Sequence, residues 1–173
     1  MRLFAISGYR LSRLPFGARL FYSLFLFMVL LGLASCLGFI FGKSGTSTTD
    51  LVEYYRQESS GLGAKPYLEL LETAHFHLFS MPIFFLVLGH IFFLSSVGER
   101  TKLVVILASF VALVAEIALP WLIVYHSARW AWLEHPTRIA LFGTFLVFIL
   151  VPLWEMWTGQ DESLLEGENT DFE

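Results

Sequence analysis

The stretch LFYSLFLFMVLLGLASCLGFIFG, residues 20–42, decides the class of fold, because it contains no charged side chain from end to end. About 20 consecutive apolar residues allow a helix to cross the hydrocarbon core of a bilayer, which is roughly 30 Å thick. Three further stretches meet or approach this requirement, at about 75–96, 103–125 and 139–157. The sequence therefore predicts an all-α, polytopic membrane protein built as a bundle of four transmembrane helices.

The composition supports this class and excludes several others. Hydrophobic residues make up 56% of the 173 positions and charged residues 15%, whereas soluble domains have roughly 25% charged residues. A disordered protein, a coiled coil and an ordinary soluble enzyme are excluded. The single cysteine, Cys36, excludes an internal disulfide framework and a multi-cysteine metal site. Membrane lipid is the expected surrounding, and nothing indicates nucleic-acid binding.

The distribution of lysine and arginine predicts the orientation. Residues 1–19 and the hairpin 97–102 together carry six of these bases, whereas the opposite side carries its bases over about twice the length. We predict a basic cytoplasmic or interfacial segment over 1–19, a membrane domain over 20–157 with an outer loop over 43–74, and an acidic cytoplasmic tail over 158–173. Both termini are then cytoplasmic, in a bacterial inner membrane.

Histidines at the predicted spans suggest a cofactor. His75, His77, His90 and His126 lie within or at the ends of spans, and an ionisable residue in a membrane is a functional hypothesis by default. A hairpin centred near residue 99 would bring His126 to the same outer level as His75 and His77. Imidazoles on neighbouring helices can hold a haem iron, so we predict one haem b, ligated by His126 and either His75 or His77. His90 is a single ligand, a partner to another subunit's group, or a hydrogen-bonded core residue.

Two segments carry a resemblance to a known family. AHFHLFS, residues 74–80, and LGHIF, residues 88–92, together resemble the histidine-bearing helix of small four-helix b-type cytochromes, the membrane anchors of hydrogenases and formate dehydrogenases. The resemblance covers one helix of four. The histidine spacing departs from the family pattern, and spans one and four contain no histidine. The resemblance implies an electron-transfer subunit, rather than a self-sufficient enzyme, between the quinone pool and a membrane or periplasmic redox partner.

Three other residues are candidates for this chemistry. Arg56 and Arg129 in the outer loops would face haem propionates, since a guanidinium suits a carboxylate; solvent-exposed loop cations are an equal alternative. Glu116 lies within the third span, four residues before Pro120. It is a candidate for proton transfer or quinone binding, and it could equally bind the carbonyl freed by Pro120 or pair with an imidazole.

Two other functions stay open. A non-redox structural subunit of a larger complex would use its histidines for hydrogen bonds. A copper- or zinc-handling membrane protein would use His75, His77 and Met81, because imidazole and thioether groups suit copper. A cytochrome is coloured and a structural subunit is colourless, while a metal carrier holds metal without porphyrin.

Overall fold

The computed structural model describes residues 11–158, which form five α-helices. They are α1 (Phe16–Ser44), α2 (Thr48–Arg56), α3 (Tyr67–Phe93), α4 (Glu99–Tyr125) and α5 (Ala131–Thr158). All of them except α2 belong to segments that are long and apolar enough to cross a membrane. No strand occurs within the described range. The predicted all-α bundle of four transmembrane helices is confirmed, and the chain is a multi-pass membrane protein in contact with lipid. Most of the basic segment and of the acidic tail lie outside the described residues.

The helix α5 is the centre of the bundle and packs against each of the other helices. Its Phe145 and Phe148 lie against Phe85 of α3, with ring centroids 5.1 and 6.3 Å apart. Phe92, two turns further along α3, packs on the same Phe148 at 5.3 Å. Buried aromatic pairs at such distances stabilise a core beyond the area that they bury. By contrast, α1 packs mainly on α5 and exposes most of its apolar side chains, as a helix in contact with lipid does.

The two ends of the bundle differ, and we call them the α2 end and the turn end. At the α2 end, α2 and the connection 57–66 cover the other helices. At the turn end, residues 94–98 join α3 to α4. There Lys102 donates hydrogen bonds to the carbonyls of Phe93 and Ser95, and Glu155 accepts one from the backbone N–H of Ser96 at 2.6 Å. These contacts satisfy backbone groups that the end of α3 leaves without helical partners.

The helices extend beyond the predicted spans, which changes the register of the α3–α4 hairpin. Because α3 ends at Phe93 and α4 begins at Glu99, the hairpin is centred near residue 96 and not near 99. Polar side chains are tolerated in the first turn of a helix, where an acidic group also meets the positive end of the helix dipole. An apolar run therefore marks the membrane-embedded part of a helix and not its full length.

Candidate functional site

A cluster of charged side chains lies inside the bundle towards the α2 end. Arg138 of α5 is its centre: Nε donates to Oε1 of Glu116 at 3.3 Å, and Nη2 donates to Oε1 of Glu134 at 2.8 Å. The third nitrogen, Nη1, donates to Oγ of Ser44 at the end of α1, at 3.1 Å. Tyr55 of α2 donates its hydroxyl to Oε1 of Glu134 at 3.2 Å. We call Glu116, Glu134 and Arg138 the charged triad, and it joins α4 to α5.

The charged triad is almost closed to water. The side chains of Glu134, Arg138 and Glu116 are 0%, 12% and 15% exposed. The second carboxylate oxygen of each glutamate, Oε2, is buried and has no hydrogen-bond partner among residues 11–158. With both carboxylates ionised, the triad carries two negative charges and one positive charge. A buried charge is costly unless it is paired and hydrogen-bonded, and one of these two is left without a counter-charge.

Tyr55 connects the triad to the short helix α2. Its ring belongs to a small buried apolar cluster with Leu51, Leu70 and Ile123. This burial raises the pKa of Tyr55 well above its ordinary value. The phenol therefore stays protonated in the physiological range and acts as a hydrogen-bond donor to Glu134. Docking of α2 onto the bundle thus places a neutral donor beside a buried acid.

A cavity of about 60 Å³ lies beside the triad, between α2, α3 and α4. A water molecule occupies about 30 Å³ in the liquid, so the cavity has room for about two waters. Glu116 forms part of the wall and links the cavity to the triad. The other polar or aromatic side chains of the lining are Tyr54, Tyr55, Lys65, Glu69, His77 and Trp121.

Polar residues at steps of four lead along the start of α3 towards the level of Glu116. We call Lys65, Glu69, Thr73 and His77 the polar stripe. Lys65 lies just before α3, and the step of four keeps the other three side chains on one face of the helix. Lys65 forms an ion pair with Glu69, and Oγ1 of Thr73 donates to the carbonyl of Glu69 at 3.1 Å. Nδ1 of His77 lies 2.8 Å from the carbonyl oxygen of Thr73. A carbonyl only accepts, so Nδ1 carries the proton of the neutral ring and Nε2 is the acceptor nitrogen.

A family comparison covers the part of the chain that builds this site. Residues 45–163 match the family model Aq_1264_TM, which is described as a transmembrane helical domain. The chain belongs to this family. The matched range includes α2, α3, α4 and α5. The polar stripe, the cavity and the charged triad therefore all belong to the transmembrane helical domain. No curated protein and no solved structure matches the chain.

The predicted haem ligands do not lie at one level of the transmembrane helical domain. Tyr67 packs beside Trp121, with ring centroids 5.2 Å apart, and His77 lines the cavity together with Glu116. His126 follows the end of α4, ten residues beyond Glu116, or roughly 15 Å at 1.5 Å per residue. The expectation of a shared level was wrong because it used a hairpin centred at 99. His77 and His126 therefore do not fit as the two axial ligands of one iron.

The other predicted haem-site residues are at or near the surface. His75 is exposed, and its ring packs on Phe79 of its own helix at 4.7 Å. His90 is exposed near the turn end of α3 and interacts with a neighbouring group. Arg56 pairs with Glu58 at 2.6 Å and donates to the carbonyl of Ile123 at 3.4 Å. Arg129 is exposed in the 3₁₀ turn before α5.

The copper or zinc alternative gains no support from clustered His, Cys, Asp or Glu side chains in the described part of the chain. Within residues 11–158, no three or more His, Cys, Asp or Glu side chains are grouped so that they could hold a metal ion. Met81, which this alternative would use with His75 and His77, is half-buried and packs against the apolar core.

Two members of the triad, Glu134 and Arg138, were not predicted from the sequence. The fourth span was predicted to begin at Ile139, where the apolar run begins, so both residues were placed in a loop. The helix α5 instead begins at Ala131 and continues through Pro136. The signal that could have found the pair is its spacing, since an acid and a base at i and i+4 face each other on a helix. A second signal is Glu116, because an acid within a span requires a partner.

Proposed function

We propose that the chain is the membrane subunit of a quinone-linked electron-transfer complex and that its cavity binds the head group of a quinol. The observation that carries the proposal is the orientation of His77 at the cavity. Because Nδ1 is held by the carbonyl of Thr73, Nε2 is the nitrogen that accepts a proton. Oxidation of a quinol needs such a base within hydrogen-bond reach of the hydroxyl group.

The proposed reaction is the two-electron oxidation of a quinol to a quinone, which releases two protons. In this proposal, Nε2 of His77 accepts the two protons in succession and passes each to water at the cavity mouth, beside the polar stripe. The electrons leave one at a time to a one-electron redox centre of a partner subunit.

The aromatic lining of the cavity supports a flat ligand. Trp121 packs against Tyr67 and Tyr125, with ring centroids 5.2 and 6.0 Å away, respectively. It is also part of the cavity wall, where an aromatic ring favours a flat ligand. A cavity that holds benzene is about 150 Å³, so binding requires the cavity to widen. Glu69 and Thr73 are the exposed residues of the lining that flank the way in.

A haem b stays our proposed electron acceptor, now at an interface with a partner subunit. His75 and His126 are both exposed, and either of them would hold the haem iron by one imidazole, with the other ligand coming from the partner. Arg56 and Arg129 would then lie at the end of the bundle where propionates reach water. We further propose that the α2 end faces the periplasm of a bacterial inner membrane.

Quinol binding by the detergent-purified full chain tests the cavity. We expect a short-tailed benzoquinol, kept reduced under anaerobic conditions, to quench tryptophan fluorescence saturably in the wild type. His77→Phe keeps a flat ring but removes the acceptor nitrogen, and loss of one hydrogen bond of about 1.4 kcal/mol weakens binding about tenfold. The matched control is His126→Phe, an exposed histidine outside the cavity, which leaves the affinity unchanged. A His77→Phe variant that binds as tightly as the wild type contradicts the proposed site.

The electron-transfer part has a separate test in the intact complex isolated from cells. A reduced-minus-oxidised visible spectrum is expected to contain a b-type signal, and either His75→Ala or His126→Ala is expected to reduce it. Haem bound by the complex but unaffected by both variants would assign its ligands to other residues. A colourless complex from haem-replete cells would refute the haem and favour a non-redox subunit.

A further inference from the structure

The two acids of the charged triad receive hydrogen bonds from the same edge of one guanidinium. The Nε–H of arginine and one N–H of Nη2 point in the same direction, and in Arg138 they reach Glu116 and Glu134, respectively. The two carboxyl groups are therefore neighbours. Two carboxylates that share a site cannot both stay ionised at low cost, and one of them holds a proton.

We infer that Glu116 and Glu134 share one bound proton at rest, and that the charged triad exchanges this proton with water in the neighbouring cavity. The side chain of Glu134 is fully buried, and its Oε2 has no partner among residues 11–158. One added proton makes the triad electrically neutral, with one carboxylate balancing Arg138. A neutral cluster is the form that a membrane interior tolerates best.

The surroundings provide a route for exchange but no second counter-charge inside the cluster. Tyr55 donates to Glu134 and is itself a neutral group, while Lys65 is paired with Glu69 at the outer part of the cavity wall. Glu116 is the triad member on that wall, so the proton leaves through Glu116. The titratable groups that line the cavity with Glu116 are Tyr54, Tyr55, Lys65, Glu69 and His77, and His135 follows Glu134 on α5.

Infrared spectroscopy of the full chain in liposomes tests the inference, which does not depend on quinone binding. We expect the wild type at neutral pH to show the carbonyl band of a protonated, buried carboxyl group, and this band shifts in heavy water because the proton exchanges with water in the cavity. In Glu116→Gln or Glu134→Gln the remaining acid pairs with Arg138 and needs no proton, so the band disappears. Each amide oxygen still accepts from the guanidinium, and we expect both variants to fold.

The matched control is Glu155→Gln at the turn end. Glu155 is also a buried acid of α5 with one carboxylate oxygen unpartnered within the described range, yet it is far from the triad, so the band stays. The double variant Glu116→Gln/Glu134→Gln leaves Arg138 as an unbalanced charge and is expected to unfold at a lower temperature than either single variant. A wild type without the band overturns the inference. A band removed by Glu155→Gln, or by added sodium at constant pH, also overturns it.

Discussion

At the scale of single residues, Arg138 connects three helices at the α2 end. Its three nitrogens reach side chains of α1, α4 and α5. In the sequence only the i, i+4 spacing of Glu134 and Arg138 indicates this role, because an arginine next to a predicted span usually anchors the helix at the interface. Its burial turns the same residue into the counter-charge of two acids.

We predict that Arg138→Met lowers the free energy of unfolding by about 3–5 kcal/mol, because breaking a buried ion pair leaves uncompensated charge. Chemical unfolding in mixed micelles measures this loss. The loss shrinks at acidic pH, since protonated glutamates need no cation. The control is the triple variant with Glu116→Gln and Glu134→Gln, which carries no charge and recovers most of the stability. A single variant as stable as the wild type at neutral pH would mean that the triad is not formed.

At the scale of elements, the helix count followed from hydropathy while the functional cluster did not. The four apolar runs predicted α1, α3, α4 and α5, since lipid requires an apolar surface around each span. Hydropathy says little about where a helix ends in the interface, so Glu134 and Arg138 were assigned to a loop. The same error shifted the α3–α4 register and brought His126 to the wrong level. Glu116 and His77 were recognised as candidates because polar groups within spans are rare, but their shared cavity depends on packing.

The link between α1 and α2 gives an element-scale prediction. Gly45 has φ 66° and ψ −166°, a conformation found almost only in glycine. A Cβ there would lie 2.5 Å from Cβ of Asp50, whose carboxylate accepts from the N–H of Ser47 and completes the cap of α2. Gly45→Ala therefore strains the link and opens the cap, at a cost of about 1–3 kcal/mol.

Hydrogen exchange over residues 48–56 measures the effect, and we expect faster exchange in α2 together with lower overall stability. Gly61→Ala is the matched control. Gly61 also has a positive φ, 69°, but an added Cβ would have no neighbour within 4 Å, so α2 stays protected.

Hydrogen bonds from Ser47 hold the pKa of Asp50 below its ordinary value. The cap is thus intact at neutral pH, and its contribution is lost as the pH falls through this lowered pKa.

At the scale of the whole molecule, orientation decides where the proposed site releases its protons. The charged triad and the cavity lie towards the α2 end, so their protons reach the water on that side of the membrane. The bases of the N-terminal segment and of the hairpin predict that the turn end is cytoplasmic, because short basic loops are retained inside. The proposed proton release is then to the outside, which adds to the charge separation across the membrane.

Labelling of introduced cysteines tests this orientation, and the chain suits the method because Cys36 is its only cysteine. In a Cys36→Ala background, Gly61→Cys lies in the connection 57–66 at the α2 end and Gly98→Cys in the turn at the other end. Both positions are exposed. We expect a membrane-impermeant maleimide to label Gly61→Cys in intact cells and Gly98→Cys only after the membrane is opened. The reverse pattern would place the cavity on the cytoplasmic side. Quinol oxidation would then release its protons into the cytoplasm and would add nothing to the charge separation across the membrane.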